Sequence, residues 1–184
     1  MKMENLKRII NYIREEVIDQ KRTLEELKNE LEEKFEIKSS EIEKVENYIL
    51  LKTNIITQEN KEVRVMFTNF YIVIQNDIVK CMVLEQEYNG IVSDSVKQRY
   101  YYDKENELFV STVEFKTPML FSMNFETMIK HNGEFIYQDR YTTKEEAEEF
   151  NDKIFNQIVK GEKTIIEIVE ECNEEETEEM EEEQ

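Results

Sequence analysis

Phe125-Glu126-Thr127-Met128-Ile129-Lys130-His131-Asn132-Gly133-Glu134-Phe135-Ile136-Tyr137-Gln138-Asp139-Arg140-Tyr141, followed by Thr142-Thr143-Lys144-Glu145-Glu146-Ala147, is the stretch that decides the fold. Asn-Gly supplies two residues that accept positive φ, the requirement of a type I′ hairpin turn, so residues 126–130 are expected to pair with 135–139. Strands joined by two residues are antiparallel. Thr142 or Thr143 then offers a side-chain oxygen to the first turn of a helix. That helix carries Ala147, Phe150, Ile154, Phe155 and Ile158 as an apolar stripe to lie across one face of the sheet, and Gly161 ends it. Residues 164–169 are apolar enough to pack as a strand or as the opening of a last helix.

Upstream, a period of two extends the sheet. Val63, Val65 and Phe67 alternate with Glu62, Arg64 and Met66, and residues 70–74 continue as an apolar strand. Asn76-Asp77 reads as a hairpin turn that lacks the usual glycine, and Asn89-Gly90 as a stronger one. Residues 78–84, 97–102, 108–115 and 119–128 supply further strands. The expected fold is α+β: N-terminal helices, a central antiparallel sheet of five to seven strands, C-terminal helices packed on the sheet, and a disordered acidic tail.

The N-terminal segment, residues 1–58, reads as helical. Leu6, Ile10, Ile13, Val17, Leu24, Leu27 and Leu31 recur at helical steps, interrupted at Gln20. One reading is a single long helix whose heptad-like seam contacts a second copy of the chain. The other is two helices, the second capped by Thr23 with Glu26 three residues on, and the polar run 19–22 favours it. Ser40 and Glu43 repeat the capping signal ahead of Ile42, Val45, Ile49 and Leu50, which suggests a further helix, its far end left open because residues 48–57 also read as a strand rich in Ile and Leu. Residues 23–50 then resemble a helix-turn-helix, but Glu41, Glu43 and Glu46 against Lys44 would repel the phosphates such a helix must approach. The expected division is a helical segment to residue 58, a sheet with its helix over 59–169, and an acidic tail over 170–184.

Three short motifs follow one another within residues 110–158: Val110-Ser111-Thr112-Val113, Phe125-Glu126-Thr127-Met128, and Arg140-Tyr141-Thr142-Thr143-Lys144-Glu145-Glu146-Ala147. Their order and spacing resemble a family of short proteins common in phage and prophage genomes, whose C-terminal half carries a VSTV…FETM…RYxTxEEA pattern. The resemblance covers about a quarter of the chain and implies a source in mobile elements more than it implies a reaction. The chain departs from that pattern twice. Glu114-Phe115-Lys116-Thr117-Pro118 replaces a glycine-rich, histidine-bearing turn, and Asn151 stands where a histidine is common.

Charge constrains function further. The 184 residues carry a formal net charge of −19, and residues 170–184 contribute −10 of it with ten Glu and no Lys or Arg. No basic stripe offers a footprint for nucleic acid, so direct DNA or RNA binding is disfavoured. An acidic exterior suits instead a basic protein surface, such as the nucleic-acid channel of a host effector. Two distant cysteines without a signal peptide point to a reducing cytoplasm, that of the host cell if the gene is phage-borne. No apolar run approaches the roughly 18 residues that a bilayer span needs.

Reactive side chains are sparse. His131 is the only histidine and sits in a hairpin turn; Ser111 and Thr112 have no histidine arranged to activate them. Isolated Gly90, Gly133 and Gly161 form no phosphate-binding loop, and two cysteines with one histidine make no zinc site. No cofactor is expected. Alternation along Tyr100-Tyr101-Tyr102 would bury Tyr101 and expose Tyr100 and Tyr102, or the reverse. The candidate partner contacts are Tyr100 and Tyr102 with the neighbouring Arg99, and Glu126 with Arg140, which are more simply a cross-strand ion pair. The expectation is a non-enzymatic acidic binding protein, such as an inhibitor of a host nucleic-acid-targeting defence protein (anti-CRISPR-like). The alternatives are a homo-oligomeric accessory protein built on the heptad-like seam, and a small-ligand-binding protein or an enzyme of unrecognised type.

Overall fold

A computed structural model of the chain describes residues 3–35, 37, 42–45, 48–59, 62–88, 95–115 and 124–182. The fold class is α+β, with helices toward both ends and, among the described residues, eight strands between them, successive strands pairing antiparallel within each unit. The chain divides into two compact units: Met1–Ile91 with Tyr101–Glu105, and Val92–Tyr100 with Asn106–Gln184.

In the first unit, α1 (Met3–Tyr12) runs into a π-helical stretch (Ile13–Val17), and α2 (Leu24–Phe35) follows a break. The break is built by the polar run. Asp19 takes a positive φ of 67°, Asp19 N–H donates to Val79 O at 2.8 Å, and Val79 N–H donates to Gln20 O at 3.1 Å. Thr23 then starts α2. Its N–H and hydroxyl both donate to Glu26 Oε2 at 2.9 Å, and Glu26 N–H donates back to Thr23 Oγ1 at 3.2 Å. Two helices are therefore formed, and the single long helix is not.

The dimer seam is corrected. Leu6, Ile13, Val17, Leu27 and Leu31 are buried within the chain, together with Ile9 and Ile18, which the heptad reading passed over. Ile10 and Leu24 are half-buried. Both helices contact the strand Tyr48–Glu59, and the π-helical stretch contacts the strand Ile78–Tyr88, so the apolar stripe is a core face covered within the chain.

The helix expected after Ser40 is also corrected. Residues 42–45 form β1 (Ile42–Val45) and residues 48–50 the start of β2 (Tyr48–Glu59), paired Ile42↔Leu51 through Val45↔Tyr48. Ser40 itself lies outside the described residues. β-Branched Ile42, Val45 and Ile49 suit a pleated surface better than a helix interior, and with strands there the helix-turn-helix dissolves. The boundary at residue 58 falls inside β2, and the N-terminal helices end at Phe35.

β3 (Glu62–Gln75) pairs with β2 and with β4 (Ile78–Tyr88). Asn76 (φ 52°) and Asp77 (φ 60°) make the β3–β4 turn, both in the left-handed region that a type I′ turn demands. Ile49, Leu51, Phe70, Ile72, Met82 and Leu84 share one face by register and are buried. Val73 and Val83 on the other face are buried too, and this is why residues 70–74 are apolar without alternation.

In the second unit, β5 (Ser95–Tyr102) contributes its residues up to Tyr100, followed by β6 (Glu107–Glu114), β7 (Phe125–His131) and β8 (Glu134–Tyr141). Asn132 (φ 50°) and Gly133 (φ 87°) form the expected β7–β8 turn. The pairing differs from expectation by one residue beyond Lys130↔Phe135. A register shift between Ile129 and Lys130 places Glu126 opposite Arg140. The region 116–123, part of the strand expected over 119–128, and Asn89-Gly90 lie outside the described residues.

α3 (Lys144–Val159) opens with a complete capping box between Thr143 and Glu146. It closes on Gly161 (φ 72°), where Glu162 N–H donates to Gln157 O and Gly161 N–H to Ile158 O, the two bonds of a Schellman motif. A third capping box, Thr164 with Glu167, starts α4 (Ile165–Glu182), which resolves residues 164–169 as the opening of a helix. The expected disordered tail is corrected as well: the backbone is helical through Glu182, in keeping with the high helix propensity of Glu. α3 contacts β6, β7 and β8, and α4 contacts β8. Among the described residues no helix is long and apolar enough to cross a membrane.

Candidate functional site

The three motifs of the C-terminal half meet at one point. Thr112 on β6 pairs with Thr127 on β7, both side chains are fully buried, and their hydroxyl oxygens lie 3.0 Å apart. Both reach the main-chain oxygen of Ala147 in the first turns of α3, Thr127 at 3.2 Å and Thr112 at 3.4 Å. One turn further along α3, Asn151 is buried at 0% exposure and donates Nδ2–H to Thr112 Oγ1 at 3.1 Å.

Arg99 enters from β5, only 4% exposed. Its Nη1 donates to Asn151 Oδ1 (3.0 Å), to Asn151 O (3.2 Å) and to Asp152 Oδ1 (2.6 Å), and its guanidinium carbon stands 4.3 Å from the centre of the Phe155 ring. Lys97 Nζ adds two bonds to Asp152, at 2.9 and 3.1 Å. Burial alone would raise the Asp152 carboxyl, but hydrogen bonds and charge from Lys97 and Arg99 outweigh it and hold that carboxyl below its ordinary value.

The groups form one connected chain. Arg99 donates to Asn151 Oδ1 and Asn151 to Thr112. Either threonine hydroxyl can donate to the other, and the one that accepts is then free to donate to the Ala147 carbonyl. Neither threonine hydroxyl is open to a substrate, and no described basic side chain is placed to deprotonate one. The arrangement holds a helix on a sheet.

The candidate partner residues do not converge. Arg99 is buried under α3. Tyr100 is half-buried, its ring 4.6 Å from that of Phe109. Tyr102 is 8% exposed and belongs to the first unit, where Arg14 stands 5.6 Å over its ring. Alternation holds from Arg99 to Tyr101, with Arg99 and Tyr101 buried and Tyr100 half-buried between them; Tyr102 departs from it, and the exposure expected of Tyr102 is corrected, because Arg14 lies over its ring. Glu126 is buried at 9% and accepts from Arg140 Nε (3.1 Å) and Gln138 Nε2 (2.6 Å) through one oxygen. By alternation it points away from the Thr127 face.

The remaining reactive groups are dispersed. His131 Nε2 lies 3.1 Å from Asn106 Oδ1 and 3.3 Å from Asn132 Nδ2, within the turn. Cys81 and Cys172 are buried, and burial pushes the Cys81 thiol up to about 12. Among the described residues no three His, Cys, Asp or Glu side chains gather as a metal site would require. Comparison of the chain with protein-family models, with curated proteins and with solved structures returned no match in any of the three.

Proposed function

We propose that this chain is an acidic binding protein that occupies the nucleic-acid site of a basic partner. The observation that carries the reading is the charge along α4. Its 18 residues hold ten Glu and no Lys or Arg. At about 1.5 Å per residue the helix is roughly 27 Å long, one negative charge per about 2.7 Å. Duplex DNA carries one per about 1.7 Å of axis and a single strand one per about 3.4 Å, so the helix falls between them. A groove lined with Lys and Arg to hold phosphates would meet a comparable line of charge here.

In the mobile-element setting that the motif resemblance implies, the partner is a host nucleic-acid-targeting defence protein. The homo-oligomer reading draws less support, because Leu6, Ile13, Val17, Leu27 and Leu31 are buried against their own chain.

The test uses the full chain and a variant in which Glu174, Glu175, Glu176, Glu178, Glu179, Glu181 and Glu182 become Gln, which keeps helix propensity and removes charge. Each is used as bait in host lysate at low and high salt, with and without excess duplex DNA. The reading expects a partner that the wild type captures, that salt releases, that DNA displaces, and that the Gln variant fails to hold. A partner retained through high salt and excess DNA, or held equally by the Gln variant, would refute it.

A further inference from the structure

Asn151 sits where a helix docked on a sheet ordinarily carries an apolar residue. Ala147, Asn151, Ile154 and Ile158 follow one another at steps of four, three and four and are all buried, so Asn151 belongs to the inward stripe of α3. Burying an amide costs free energy that an isosteric leucine would not. Its partners come from separate places in the chain: Arg99 on β5, Thr112 on β6, and through Thr112 the Thr127 hydroxyl on β7.

We infer that these groups form a register lock, which selects one rotation and one axial setting of α3 on β5, β6 and β7 while adding little to overall stability. The apolar stripe cannot make that selection. Its contacts are non-directional, and a slide of about one turn, roughly 5.4 Å, brings another apolar position of the stripe over the same strands. The hydrogen bonds discriminate. Even a one-residue slip moves α3 by about 1.5 Å and turns it by about 100°, which separates Asn151 from Thr112 and Arg99, and Ala147 O from both threonines.

A competing register would leave Thr112, Thr127 and the Arg99 guanidinium without these acceptors and donors in a water-poor site. It is rejected by what it fails to pair. Replacing such a set wholesale with apolar residues is often neutral for stability, whereas removing one member is costly. The network thus sets the position of α3 and, through the five residues 160–164, the point from which α4 starts.

The test compares two variants of the full chain, Asn151→Leu alone and the set Arg99→Met, Thr112→Val, Thr127→Val and Asn151→Leu together. Urea unfolding is followed alongside amide NMR spectra and hydrogen exchange over residues 144–172. A register lock predicts that the single variant unfolds at lower urea. The combined variant is expected to keep or raise the wild-type midpoint, while its α3 and α4 amide peaks broaden or double and exchange at least tenfold faster. Thr112→Ser, which keeps the hydroxyl, is expected to retain single sharp peaks. A combined variant with sharp single peaks and wild-type exchange would overturn the inference. So would one that unfolds at much lower urea or fails to fold, since the network would then be a source of stability.

Discussion

Asp77 shows how one residue carries an avoidable strain. At φ 60° it occupies the second central position of a type I′ turn, next to Asn76 at 52°. An L side chain is disfavoured there, and glycine is not. Asp77→Gly is expected to stabilise the protein by about 0.5 kcal/mol, read as a higher urea midpoint with an unchanged slope. Gly133 is the converse. A Cβ built there meets nothing within 4 Å, so Gly133→Ala introduces no clash, and its φ of 87° alone should cost about 1 kcal/mol. Glu126 and Arg140 give a third case. The Arg140 side chain is 47% exposed, and Gln138 also donates to Glu126, so Arg140→Ala should cost less than about 1 kcal/mol. A double-mutant cycle with Glu126→Gln would isolate the pair; a coupling of several kcal/mol would mean that Arg140 is doing more than closing a hairpin.

At the scale of elements, the same device starts three helices. Thr23 with Glu26, Thr143 with Glu146, and Thr164 with Glu167 are reciprocal caps. In each, hydrogen bonds from the threonine hold the glutamate below its usual carboxylate range. A carboxyl lowered on folding contributes stability that is fully present above its unfolded value, near pH 4.3, and is lost as pH falls through the folded value. The Thr143 and Glu146 amide signals are therefore expected to shift as their bonds break in acid. Glu146→Gln, which keeps the cap without the charge, should abolish that acid step; an unchanged acid profile in the variant would contradict it.

The caps at Thr23 and Thr143 and the turns at Asn76-Asp77 and Asn132-Gly133 were legible in the sequence because each is specified by residues within a few positions of one another; the cap at Thr164 was not read, and residues 164–169 stood open as a strand or a helix start. The rest of what was not legible depends on distant partners. Ile42, Val45 and Ile49 fit a helical face as well as a strand until Leu51 is known to lie opposite Ile42. Leu6 to Leu31 read equally as a dimer seam or as a core face, and only the sheet beneath them decides. At the site, Thr112 and Thr127 stand out as motif residues, but their meeting with Ala147 is a property of the docked helix. Asn151 left one trace, a polar residue at an i, i+4 step within an apolar stripe.

At the scale of the whole molecule, each compact unit carries one buried cysteine, Cys81 in the first and Cys172 on α4 in the second. With its ionisation raised by burial, Cys81 should be labelled at pH 8 only through opening of its surroundings, more than about a hundredfold slower than in the unfolded chain. Rapid native labelling of that thiol, followed by mass spectrometry, would contradict the burial described.

The ten glutamates of α4, with no Lys or Arg among them, also make this helix a polyelectrolyte that works against itself. Neighbours one turn apart, such as Glu170 with Glu174, repel each other, and added electrolyte relieves that repulsion. The same counterions weaken attraction to any cationic groove. Raising ionic strength should therefore firm the rod while loosening its grip, so that occupancy of a partner peaks at an intermediate salt concentration.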